Sequence, residues 1–197
     1  MTAVDARRAL RLEMRRRRAA LDADDQAVAA MAVMTRLARL PILRGPGPVA
    51  GYRAVRGEVD VEAALVLLTG RGTAISLPRV RGEHLEFVRW GPGADLAPGP
   101  FAIPEPVGDD LVPLRSHVAV LAPVVAFDGA GHRLGQGGGY YDRALAGPGP
   151  RPVLIGVAHA VQEVEAVPTE PWDVALDAVV TEEGVVEFTA GATDGAI

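Results

Sequence analysis

The sequence contains no cysteine and no lysine. The first absence removes disulfides, a thiolate nucleophile and thiolate metal sites. The second excludes a P-loop, whose Gly-x-x-x-x-Gly-Lys-Ser/Thr signature needs a lysine on the phosphates. Long apolar runs are also missing. The longest, Val118 to Phe127, has ten residues and includes Pro123, against the roughly 18 to 20 that a membrane span requires. The N-terminus lacks an apolar signal-peptide core, and Asp5 and Glu13 argue against a transit peptide, so a cytoplasmic protein is expected. The histidines at 84, 117, 132 and 159 show no metal-ligand spacing such as His-Glu-x-x-His.

What is present describes one globular domain. The chain has 197 residues, 49% of them hydrophobic, enough for a single core. Residues 1–188 are expected to form it, with a disordered tail over 189–197. Charge is unevenly spread. Residues 1–18 hold seven arginines and two acids, while the whole chain is at −5. A basic arm on an acidic body suits either nucleic acid or, more modestly, a phosphate-bearing ligand. Most of these arginines are expected on a solvated helix face.

Periodicity predicts a helix over 5–20, with Leu10, Met14 and Leu21 as its apolar stripe and Arg7, Arg11, Arg15 and Arg18 on another face. A second helix, capped by Asp22 or Asp24, runs to about Leu40 and is ended by Pro41. Val49–Arg53 reads as a strand, Asp60 opens a helix to about Leu68, and Ala74–Leu77 is a strand stopped by Pro78. His84–Trp90 alternates as a strand, and the proline-rich stretch 91–113 reads as loop. Val118–Pro123 is a fully apolar strand of the kind buried in parallel sheets. A helix to Leu145, a strand over Val153–Val157 and a hairpin over Val179–Phe188 follow. Strands alternating with helices predict an α/β layered domain with a parallel or mixed central sheet and ligands beyond the strands' carboxyl ends.

The segment Ala126–Arg143 carries six glycines, adjacent Tyr140 and Tyr141, Arg133 and Arg143, and Asp128 and Asp142. Gly135, Gly137, Gly138 and Gly139 leave the backbone bare just before a helical pattern resumes, which is how N–H groups and a helix terminus come to face a phosphate. A dinucleotide fingerprint begun at Gly135 fails, because Tyr140 stands where its third glycine belongs. A chain-reversing turn is the plain alternative, opposed by the two arginines that bracket the glycines.

Pro123-Val-Val-Ala-Phe127-Asp128, followed by Gly131-His-Arg133-Leu-Gly135-Gln-Gly137-Gly-Gly139-Tyr140-Tyr141-Asp142, resembles the nucleotide loop of the 5-formyltetrahydrofolate cyclo-ligase family. The resemblance spans nearly the whole chain. Arg7-Arg-Ala-Leu10-Arg11 is similar to the family's N-terminal ATP-contacting segment. Tyr52-Arg53-Ala-Val-Arg-Gly-Glu58-Val-Asp60 is similar to its folate turn. Pro78-Arg79 and Ile103-Pro-Glu-Pro106 match two further elements. The resemblance implies ATP contacts from Arg7, Arg11 and Arg133 through Tyr141, that is Leu134, Gly135, Gln136, Gly137, Gly138, Gly139 and Tyr140 as well. It implies folate contacts from Arg53, Glu58 and Gln136 to Tyr140, chemistry at Tyr141 and Arg133, and Mg2+ on Asp142 and Asp173. Three departures stand out: Arg7 where some members have lysine, neutral Gln136 and Gly138 where some have basic residues, and His159 for a frequent aromatic. His159 is read as a core or pocket-wall histidine.

The implied reaction converts 5-formyltetrahydrofolate and ATP to 5,10-methenyltetrahydrofolate, ADP and phosphate through an N5-iminophosphate. Such chemistry needs positioning and charge neutralisation rather than a nucleophile. The implied partners are therefore a reduced folate and ATP, with no nucleic acid, no membrane and a monomeric chain. A related ATP-using enzyme with a non-folate substrate, a phosphosugar-isomerase-like protein and a non-catalytic nucleic-acid binder are the alternatives.

Overall fold

A computed structural model describes residues 3–188; the tail expected over 189–197 lies outside the described residues. Two helices open the chain, α1 (Ala3–Ala19) and α2 (Ala23–Leu37). Asp22 caps α2, accepting from the Asp25 N–H at 2.8 Å. Pro41 does not merely end that helix. It starts a short α3 (Pro41–Arg44), where a missing N–H costs nothing in the first turn. There follow β1 (Val49–Ala50), α4 (Glu62–Gly70), β2 (Ile75–Arg81), β3 (His84–Trp90), β4 (Leu96–Pro98), β5 (Pro104–Pro106), β6 (Ala119–Pro123), β7 (Ala126–Phe127), β8 (Arg133–Leu134), α5 (Tyr140–Leu145), β9 (Val153–Val157), β10 (Ala178–Val180) and β11 (Val185–Glu187).

Seven strands form one mixed sheet in the order β11-β10-β9-β6-β1-β2-β3. Its interior pairs are parallel; β2–β3 and β10–β11 are antiparallel. The α/β expectation holds, as does the closing hairpin. Both faces of the sheet are covered. Leu121 of β6 packs with Leu37, Leu43, Leu65 and Leu77, whereas its neighbours Val120 and Ala122 pack with Leu145, Leu154 and Val179. A strand buried on both sides has no polar face to show, which is why β6 reads as an unbroken apolar run.

Three elements differ from expectation. β1 was expected to reach Arg53 but ends at Ala50. Gly51 N–H still donates to the Ser76 carbonyl at 2.9 Å. The chain then lifts away, and buried Tyr52 donates its hydroxyl to the Val59 carbonyl at 2.7 Å. β2, expected to stop at Pro78, continues to Arg81. Backbone groups alternate sides along a strand. Ser76 faces β1, so Pro78 faces that side too, where β1 has already left and no donor is needed. Val80, next on that side, donates its N–H to the Glu105 carboxylate at 2.9 Å. The same reasoning applies across the gap: Val124 N–H faces β9, donating to the Val157 carbonyl at 3.4 Å, so Pro123 faces the space vacated by β1. Finally, the 91–113 stretch is not wholly loop; β4 and β5 pair as a small antiparallel ribbon.

Candidate active site

β1 has β2 on one side and β6 on the other, so the chain order turns outward from it in both directions. Such a reversal leaves a crevice beyond the strand's carboxyl end. Here the crevice is deepened because β1 is short. The result is a cavity of about 580 Å3 walled by Pro78 and Val80 of β2 and Ala122 and Pro123 of β6.

The glycine loop forms one rim. Gly137 and Gly139 hold φ of +108° and +64°, a region that a side chain disfavours. Gly139 is the residue before α5, so the loop feeds that helix as expected. Helix α1 lies against the loop through its arginine stripe. Arg11 donates Nε to the Gly135 carbonyl at 2.9 Å, and Arg15 donates Nη2 to Gln136 Oε1 at 2.6 Å. Arg7, a turn earlier, pairs with Asp173 and also donates to the Pro168 carbonyl at 3.2 Å. Arg18, only 2% exposed, donates Nε to the Arg56 carbonyl at 3.1 Å. Spacings of four, four and three put all four guanidiniums on one face, and that face looks inward. Of the helix's arginines only Arg8, Arg16 and Arg17 are exposed, so most do not lie on the solvated face that was expected, and the last two pair with Glu13. A nucleic-acid arm would present the opposite face.

The turn that runs from Tyr52 to Asp60 forms the other rim. Arg56 and Gly57 both have positive φ, at +54° and +74°, which aims the next residue back at the cavity. The Glu58 side chain is 6% exposed. Its Oε2 accepts from Val55 N–H at 3.1 Å, its Oε1 accepts from Gln136 Nε2 at 3.0 Å, and Arg18 stands 3.9 Å away. Burial raises the carboxyl's pKa, partly opposed by the Val55 bond, Arg18 and Gln136. Arg53 lines the cavity too, with its guanidinium held by Glu62 at 2.7 Å. His159 is a wall residue at most: its Nε2 bonds the Gly57 carbonyl at 3.1 Å, and burial lowers its pKa.

At the floor, Arg133 donates Nη2 to Asp142 Oδ1 at 2.8 Å, and the same oxygen accepts from Val174 N–H at 3.1 Å. Asp173 accepts from Arg7 and from Glu170 N–H at 2.8 Å. Burial works to raise the Asp173 pKa, but these bonds and the Arg7 charge leave it lowered. Burial, then the Glu58 charge, pushes the Tyr141 hydroxyl well up, so at neutral pH it is a donor.

The structure thus gathers in one cavity every expected site residue except Leu134, which is fully buried with Met14, Val125 and Val167 and faces the core. Arg143 also turns away. Its guanidinium stacks 4.9 Å from the Tyr140 ring centroid, and its Nε donates to the Glu83 carbonyl at 3.0 Å. Among the cavity residues that the sequence did not point to are Arg15 as a contact, and the aromatic or apolar Phe101, Trp172 and Val80. The four-residue spacing from Arg11 was a usable signal for Arg15. Phe101 and Trp172 sit in irregular segments, where no period assigns a face.

The cationic stripe fits a polyanion. Arg15 Nε and Arg133 Nε are buried without a partner, and burial, then Arg7 and Arg15, lower the Arg11 pKa. Orphaned donors and crowded like charges are both relieved by an anion. For a metal, no group of three or more His, Cys, Asp or Glu side chains is assembled among the described residues. Magnesium needs only one or two carboxylates when phosphates and water complete its shell, and Asp142 and Asp173 meet that requirement.

The chain is similar to known proteins over most of its length. The sequence model of the 5-formyltetrahydrofolate cyclo-ligase family matches residues 3–182. The 5-formyltetrahydrofolate cyclo-ligase of Escherichia coli is 34% identical over 181 residues, covering 89% of this chain and 100% of that protein. Its counterpart from Haemophilus influenzae is 34% identical over 176 residues, covering 86% and 94%. The NMR structure of Aquifex aeolicus 5,10-methenyltetrahydrofolate synthetase superposes with a TM-score of 0.82 at 31% identity, covering 95% of each chain. From its matched length, its relatives and its fold, the chain belongs to the 5-formyltetrahydrofolate cyclo-ligase family.

Proposed function

We propose that this cavity converts 5-formyltetrahydrofolate to 5,10-methenyltetrahydrofolate with ATP as phosphoryl donor, releasing ADP and phosphate. The observation that carries the reading is a single cavity with inward-facing arginines and a bare glycine loop on one rim and a buried carboxylate on the other. Arg7, Arg11 and Arg133 hold triphosphate oxygens, and glycine-loop N–H groups cradle the phosphoryl group that moves. Glu58, ionised, accepts from the pterin's amine and ring N–H. Arg53, which also lines the cavity, contacts the folate.

The formamide oxygen is a poor leaving group. Phosphorylation makes it a good one: the γ-phosphoryl passes to the formyl oxygen, N10 attacks the activated carbon, and phosphate departs with that oxygen as the ring closes. No nucleophilic side chain is needed, and positioning supplies the catalysis. Tyr141, kept protonated, donates to the oxygen as it takes on the phosphoryl group. Asp142 and Asp173 would hold magnesium, which supplies charge neutralisation on the phosphates. Action as a monomer in the cytoplasm is part of the same proposal.

The test is direct. Protein, Mg-ATP and 5-formyltetrahydrofolate are mixed, and the near-ultraviolet absorbance of the methenyl product is followed. ATP consumption without that absorbance would instead identify an ATP-using relative with another substrate.

A further inference from the structure

The glycine loop of this chain, Gly135 through Gly139, contains no cation of its own, and Arg143 behind it is committed to the Tyr140 ring and the Glu83 carbonyl. Positive charge reaches the loop from α1, through Arg11 against Gly135 and Gly137 and through Arg15 against Gln136. Arg15 is the one whose part is unassigned. It reaches across to Gln136, whose amide is held at both ends: its carbonyl accepts from Arg15 Nη2 at 2.6 Å, and its Nε2 donates to Glu58 Oε1 at 3.0 Å. The chain Arg15–Gln136–Glu58 therefore bridges the two rims of the cavity, at the seam a phosphoryl group must cross to pass from nucleotide to folate. Arg15 lines that cavity, and its Nε is buried there without a partner. A buried guanidinium N–H left unpaired costs free energy that a ligand oxygen would restore.

Resting on the cyclo-ligase reading above, we infer that Arg15 is a further phosphoryl-binding residue of this enzyme, donating through Nε to the group in transfer while Gln136 fixes its guanidinium against the Glu58 rim. The ligand class is a phosphoryl oxygen, not the folate's carboxylates, because the residue is tied to the loop tip. Arg15 thereby supplies from a helix the charge that Gln136 and Gly138 do not.

The experiment compares wild type with Arg15→Ala. Turnover is expected to fall about 100-fold, the scale of losing one donor aimed at a charge that develops in the transition state. The Michaelis constant for the folate should move less than about threefold. Guanidinium ion added to Arg15→Ala should restore part of the lost turnover, which a merely structural role would not allow. Calorimetry with inorganic triphosphate should show binding weakened by about tenfold, as for loss of one charged hydrogen bond. Should Arg15→Ala not fold, Arg15→Met keeps the aliphatic stem and carries the same comparison. Turnover retained, or a loss that guanidinium leaves unchanged with triphosphate bound as in wild type, overturns the inference. A wild-type protein that makes no methenyl product would fail the cyclo-ligase reading instead, and that control is run first.

Discussion

Two glycines of the loop separate backbone strain from ligand approach. Gly137 has φ of +108°, and a Cβ built on it would lie 3.5 Å from Arg11 Cζ, an ordinary contact. The obstacle to alanine there is conformational. A left-handed backbone costs an L-residue roughly 1–2 kcal/mol, and +108° lies beyond the left-handed region near +50° to +70°, which places the cost at the upper end. For a domain of this size, each kcal/mol lowers the melting temperature by about 2–4 °C. Gly137→Ala should therefore melt about 4–8 °C below wild type. Gly135 carries no positive φ, and its added Cβ meets nothing within 4 Å, though the residue lines the cavity. Gly135→Ala should melt as wild type does, yet lose turnover by about 100-fold if the backbone must close on a phosphate to within an ångström or so. Thermal melts and turnover of both variants decide the matter. A Gly137→Ala protein that melts with wild type refutes the strain reasoning. A fully active Gly135→Ala protein shows that no ligand approaches that backbone.

Two further outcomes concern the carboxylates. Because burial raises the Glu58 pKa, the folate Michaelis constant should climb on acidification while pH is still above the ordinary glutamate range, with that for ATP unmoved. Glu58→Gln should show a raised, pH-independent folate constant, and a wild-type profile as flat as the variant's would remove Glu58 from the folate rim. The linkage has a definite sign: a raised carboxyl pKa gives stability at low pH that is lost as pH rises through the folded value, so wild type should lose ground to Glu58→Gln in that window. Asp142→Asn and Asp173→Asn should each raise the magnesium concentration for half-maximal rate. Titrations superimposing on wild type for both would leave these residues only as partners of Arg133 and Arg7.

Most of the candidate site's lining was legible because its parts are local patterns. The run from Arg133 to Asp142 sits on one continuous loop and helix start, and Arg7 and Arg11 share a face by spacing alone. The layered fold followed from apolar runs such as Val118–Pro123 between helical stretches. What failed were features fixed by partners distant in sequence. Leu134 lies inside the motif but alternates into the core with Met14 and Val167, because β8 pairs with β7. Pro78 looked like a strand end because its neighbour's departure cannot be read from its own sequence. Phe101 and Trp172 reach the cavity from loops whose paths depend on contacts such as Arg56 Nη2 to the Phe101 carbonyl at 3.0 Å.

The early exit of β1 leaves two strand edges facing each other inside the molecule, two inter-strand spacings or roughly 10 Å apart. Exposed edges invite strand addition, whether by a stray peptide or by another copy of the chain. Here the inviting groups are silenced. Pro78 and Pro123 have no N–H to offer from either side, and the donor at Val80 is already taken by Glu105. A flat small molecule held by side chains is still welcome, whereas a polypeptide seeking a hydrogen-bond ladder meets carbonyls without the alternating donors that a ladder needs. The open slot in the middle of the sheet thus carries a device against strand addition of the kind that exposed edges otherwise need.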